Sequence, residues 1–111
     1  MPLTLNSLSQ GNTARLSLVG EVDGTTAPVF RAEVDKLLTG APRILVLDVE
    51  QLTFMSSAGL RVLIFAKQKQ PALSIYVLKP QPPIVDTLRK TGFYDGVYVT
   101  DTEPDTGSAT A

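Results

Sequence analysis

The chemistry open to this chain is set by its hydroxyls and carboxylates, because the sequence contains neither histidine nor cysteine. Without histidine there is no ordinary general base at neutral pH, no Ser-His-Asp arrangement and no imidazole metal ligand. Without cysteine there is no disulfide, thiol catalysis or thiolate zinc site. The residues that stand out are Ser56 and Ser57, placed after the apolar run Ile44 to Leu47 and just ahead of an apolar-and-basic segment. As a nucleophile Ser57 has no histidine base, and Lys67 and Lys69 lie about three turns further along the same helix. Catalysis is not expected. A serine hydroxyl at a helix start can accept from an orphan amide, and the partial positive charge there favours an anion. Capping alone, or capping together with a phosphate on one of the two serines, both fit.

The remaining chemistry is thinner. Asp23, Asp48 and Glu50 could each offer oxygen to a hard cation, but they are scattered and read as solvated loop acids, so no metal site is expected. Neither a phosphate-binding loop nor a dinucleotide fingerprint occurs, so no nucleotide cofactor is expected. A net charge of −1, from 10 basic and 11 acidic residues, gives no reason to expect nucleic acid or an anionic membrane surface. The apolar runs Ile44 to Leu47 and Val62 to Ala66 fall far short of the roughly 20 residues of a spanning helix. Met1 to Gln10 shows no signal-peptide pattern. A cytoplasmic protein that works through protein partners is expected.

The elements that must position the serines follow from periodicity. Leu3, Leu5 and Leu8, a turn at Gly11 and Asn12, and the alternation Leu16, Leu18, Gly20, Val22 predict an N-terminal hairpin. Thr25 and Thr26 are candidate caps for a first helix with Pro28 in its first turn. Its buried stripe is Phe30, Val34, Leu37 and Leu38. Gly40 and Pro42 lead to the central strand, whose unbroken run Ile44 to Leu47 predicts cover on both faces and whose end is expected at Asp48. A loop from Asp48 to Ser57 then enters the second helix, with Leu60, Leu63, Ile64 and Ala66 inward and Arg61, Gln68 and Lys69 outward. Phe65 falls in the polar sector, either covered by another element or part of a docking surface. Leu73 to Leu78 is a fourth strand, and Pro82 and Pro83 lead a third helix stopped by Gly92. Phe93 and Tyr94 return to the core, and Val97 to Val99 forms a short edge strand. The result is one α/β domain over residues 1–99, a mixed sheet of about five strands with three to four helices. Residues 100–111 are polar and aperiodic, and disorder is expected there. Ligands of such sheets sit at the carboxyl ends of strands, where Asp23, the Asp48 to Ser57 loop and the loop after Leu78 are expected to cluster.

The stretch Asp48 to Leu63, DVEQLTFMSSAGLRVL, resembles the signature of STAS domains that act as anti-sigma factor antagonists, and GEVD at Gly20 to Asp23 is similar to that family's second-strand ending. The resemblance places the family's phosphorylated serine on Ser57. Ser56 stands where many members carry aspartate, and Ala58 where they carry a second serine, so Ser56 is the second candidate. A partner-switching role is implied. The unmodified domain binds an anti-sigma factor that is also a serine kinase; phosphorylation from ATP releases it, and a serine phosphatase resets it. The contact surface expected on this resemblance runs from Asp23 through Ser56, Ser57 and Gly59 to Arg61 and Phe65, on a monomer or weak homodimer. The alternative is a STAS module serving, unphosphorylated, as an interaction subunit of a transport or sensory complex.

Overall fold

The computed structural model describes residues 3–102. Strands β1 (Thr4–Gln10) and β2 (Thr13–Val22) form the expected hairpin around Gly11 and Asn12. Gly11 takes φ +57° while Asn12 does not join it at positive φ, the pattern of a II′ turn that matches strand twist. Helix α1 (Ala27–Leu38), strand β3 (Ile44–Met55), helix α2 (Ser57–Lys69), strand β4 (Ser74–Leu78), helix α3 (Pro82–Lys90), a 3-10 turn at Tyr94–Gly96 and strand β5 (Tyr98–Thr100) follow in order. The sheet is mixed: β1 pairs antiparallel with β2, and β2 to β5 are parallel. The last strand runs one residue beyond the expected Val99, and the tail expected to be disordered lies, from residue 103 on, outside the described residues.

The strands lie side by side in chain order. Right-handed crossovers between successive parallel strands therefore put all three α-helices on one face. Phe30 and Val34 of α1, Leu60 and Leu63 of α2, and Ile84 and Leu88 of α3 join Leu16, Leu45 and Ile75 in a single buried cluster. The run Leu45 to Leu47 of β3 is buried on both faces as expected, but this topology places helices on one face alone. Val46, though buried, points to the face opposite the helices, in a cross-strand row with Arg15, Tyr76 and Tyr98. The Tyr76 and Tyr98 rings stack there with centroids 4.9 Å apart.

A second correction concerns Asp48, which does not end the strand. β3 continues to Met55, and its twelve residues run beside ten of β2 through two register shifts, the second at Gly20, whose φ of +115° admits the irregularity. Val49, Leu52 and Met55 are buried at a spacing of three, so the apolar drive persists although the two-residue period does not. Asp48 instead accepts from Arg15 Nη2 at 3.0 Å on the helix-free face.

β4 pairs only as far as Leu78 opposite Asp48, leaving the far half of β3 without a strand on that side. Side chains around α3 reach two of its carbonyls: Gln81 Nε2 donates to the Glu50 oxygen at 2.8 Å, and Thr87 Oγ1, shared with the Pro83 oxygen, lies 3.2 Å from the Met55 oxygen. Since β4 is short, the loop after Leu78 opens beside Glu50, where Lys79 Nζ lies 3.8 Å from its carboxylate, and does not join Asp23 and Ser57.

Candidate functional site

The two serines have different environments. Ser56 is the N-cap of α2, with extended backbone and a half-buried side chain whose Oγ accepts from the Gly59 amide at 3.4 Å. Ser57 is the first helical residue, exposed, and its hydroxyl makes no hydrogen bond among the described residues. Capping and availability are thus divided between neighbours.

The start of α2 is held against the end of β2. The Ser56 amide donates to the Val22 carbonyl at 2.8 Å. Gly59 is buried beneath, and a Cβ there would come within 2.5 Å of Val22 Cγ1 and 3.0 Å of Met55 Cγ. Glycine permits this close approach. Gly59, expected on the contact surface, shapes that surface from below, since any side chain there would force Val22 or Met55 to shift.

Asp23 follows Val22 directly and organises the next turn. Its Oδ1 accepts from Thr25 Oγ1 at 2.7 Å, the Thr25 amide at 2.9 Å and the Thr26 amide at 3.0 Å. These bonds, the Thr25 hydroxyl first, hold its pKa down to about 2 from an ordinary 3.8. Thr26 occupies the N-cap position of α1 without capping it; its hydroxyl accepts from the Asp23 amide and donates to the Glu21 carbonyl. The expected threonine cap is thus replaced by a carboxylate-centred turn, of the kind short acidic side chains form with amides two and three residues on. Asp23 is a loop acid, as expected, and its carboxylate is also engaged by its own turn.

Beyond Ser57 the surface continues along α2. Arg61 is exposed one turn further on, and Phe65, 44% exposed, lies one turn beyond it. Among the described residues no element covers Phe65; the Arg31 guanidinium of α1 sits over its ring, 5.2 Å from the centroid. Pro28, Arg31, Ala58, Arg61, Val62 and Phe65 line an open groove of about 220 Å³ between α1 and α2. The structure therefore joins Ser57, Arg61 and Phe65 on one surface, with Ser56 and Asp23 holding its end. Arg31 and Pro28 were missed in sequence. The available signal was that both lie outside the buried stripe of α1, which a right-handed crossover sets beside α2.

Among the described residues no three or more acidic side chains converge as a metal site. No described helix is long and apolar enough to cross a membrane.

A five-stranded mixed sheet, helices on one face, and a small-residue turn leading a helix from the end of a central strand define an α/β domain that presents a serine at a helix tip. The STAS domain family model matches residues 5–109, and the chain belongs to that family. Among solved structures it is similar to an anti-sigma factor antagonist from Mycobacterium paratuberculosis, at 23% identity, TM-score 0.84, with 97% of this chain and 93% of that one covered. It is also similar to the anti-sigma factor antagonist SpoIIAA in its unphosphorylated form, at 21% identity, TM-score 0.76 and coverage of 92% and 90%. The phosphorylated form of the Bacillus cell fate determinant SpoIIAA aligns at 20% identity, TM-score 0.70 and coverage of 99% and 100%. At these identities the likeness establishes the fold. No curated protein matches the chain in sequence.

Proposed function

We propose that this protein is an anti-sigma factor antagonist that switches partners through one phosphorylatable hydroxyl. Unmodified, it binds an anti-sigma factor that is also a serine kinase. Transfer of the γ-phosphoryl group of ATP to Ser57 Oγ, with release of ADP and the serine proton, ends the complex; a serine phosphatase restores the hydroxyl. The chain is the kinase's substrate and ligand and performs no catalysis itself.

The observation that carries this reading is the division of labour at the head of α2. Ser56 is engaged in the cap, whereas Ser57 is exposed and unengaged among the described residues. The structural likeness to SpoIIAA in both phosphorylated and unphosphorylated forms supports it. A phosphoserine adds about −1.5 to −2 charges at neutral pH, which the helix N-terminus accommodates without unfolding. At a protein interface the same group adds bulk and a desolvation cost, so fold and docking respond differently.

Incubation with the cognate kinase and ATP, followed by peptide mapping, is expected to place one phosphate on Ser57. Equal labelling of a Ser57→Ala protein would refute the assignment.

A further inference from the structure

We propose that the groove between α1 and α2 seats an acidic segment of the partner that also carries an apolar side chain, and that Arg61 serves this segment and the Ser57 phosphate in alternation. This deepens the proposed function and rests on it for the phosphate, but not for the groove.

The groove has an apolar lining in Pro28, Ala58, Val62 and Phe65, and its charged lining is the two guanidiniums of Arg31 and Arg61. Among the described residues no carboxylate lines it. Of the acids flanking it in the chain, Asp23 is held in its own turn, and Asp35 pairs with Lys69 at 3.4 Å and with the groove's own Arg31 Nε at 3.7 Å, so Arg61 carries the uncompensated charge. Arg61 has neither an ion pair nor a hydrogen bond among the described residues. A cationic rim over an apolar floor complements carboxylates flanking an aliphatic or aromatic anchor.

Arg61 also stands four residues after Ser57 on α2, the spacing that brings side chains together on one helix face, with the anionic position N-terminal to the cation as the better order. A phosphate on Ser57 can therefore draw the Arg61 guanidinium onto itself, and it repels an acidic segment at the same time. Release then follows from competition for one cation, with no rearrangement of the fold.

A random peptide display library panned against the full unmodified chain tests the groove. Enriched peptides should carry Asp or Glu around an apolar residue and shift the backbone amide resonances of residues 27–31 and 58–65. Arg61→Glu should weaken the best peptide about tenfold, because reversal replaces attraction with repulsion, while Arg61→Lys should retain most of the affinity. Phosphoserine installed at position 57 by genetic encoding should weaken the same peptide, and its second phosphate pKa, read by phosphorus NMR, should rise when Arg61→Gln is added. Enrichment without acidic residues, shifts confined to the helix-free sheet face, or concentration-dependent shifts of the groove without peptide, as a second copy would give, each overturn the proposal. An unchanged phosphate pKa overturns the alternation. A Ser57 that the cognate kinase leaves unlabelled sinks the proposed function instead and leaves the groove result standing.

Discussion

Replacing Gly59 by alanine tests whether close approach of α2 to β2 builds the site. The new Cβ would lie 2.5 Å from Val22 Cγ1, 3.0 Å from Met55 Cγ and 3.3 Å from Val22 Cβ. Valine cannot swing away cheaply, because its branched Cβ restricts χ1 and its side chain is fully buried. Overpacking of this kind costs about 1–3 kcal/mol, and the helix-propensity gain of alanine over glycine offsets up to about 1 kcal/mol of it. A net loss of about 1–2 kcal/mol is expected, a fall in Tm of roughly 5–10 °C for a domain of this size. Urea unfolding followed by circular dichroism measures the loss. Adding Val22→Ala, which by itself costs roughly 2 kcal/mol as a buried truncation, should recover about 1 kcal/mol of the summed penalty in a double-mutant cycle. A Gly59→Ala protein as stable as the parent, or strictly additive behaviour with Val22→Ala, would refute the packing argument.

Three further outcomes are expected. Ser56→Ala should lower stability by about 0.5–1 kcal/mol, the lower part of the range for a lost cap because the bond is long, while Ser57→Ala should leave it unchanged; chemical denaturation of the two proteins distinguishes the roles. Asp23, its pKa depressed to about 2, contributes stability that is fully present above its unfolded value near 3.8 and is lost as pH falls toward 2. Acid titration followed by carboxyl NMR should show that midpoint, and Asp23→Asn should remove the corresponding slope from the stability profile. Phe65→Ala, at an exposed site, should change stability by no more than about 1 kcal/mol. It should weaken binding of the proposed anti-sigma partner about thirtyfold in calorimetry.

Much of this architecture is legible in the residues. Gly11 and Asn12 mark the hairpin, and the stripe Phe30, Val34, Leu37 and Leu38 is buried as its spacing requires. Ser56 and Ser57 fall at the start of α2. The second half of β3 is not legible, because bulges turn its burial from every second residue to every third, and only pairing with β2 makes Val49, Leu52 and Met55 a strand. Nor does the run Ile44 to Leu47 reveal that one sheet face lacks helices, since that depends on strand order. The stretch ahead of α2 offers two adjacent serines; the hydrogen bond from the Gly59 amide decides which one is engaged. The groove needed both helices in place, because Arg31 and Phe65 meet only through the crossover.

The central claim is that a phosphate at Ser57 changes association and not the fold. The chain carrying encoded phosphoserine at position 57 should be compared with the unmodified chain for Tm and for calorimetric binding to the proposed anti-sigma partner. Equal Tm with binding lost is the predicted result. Binding retained, or lost only together with cooperative unfolding, would contradict the account.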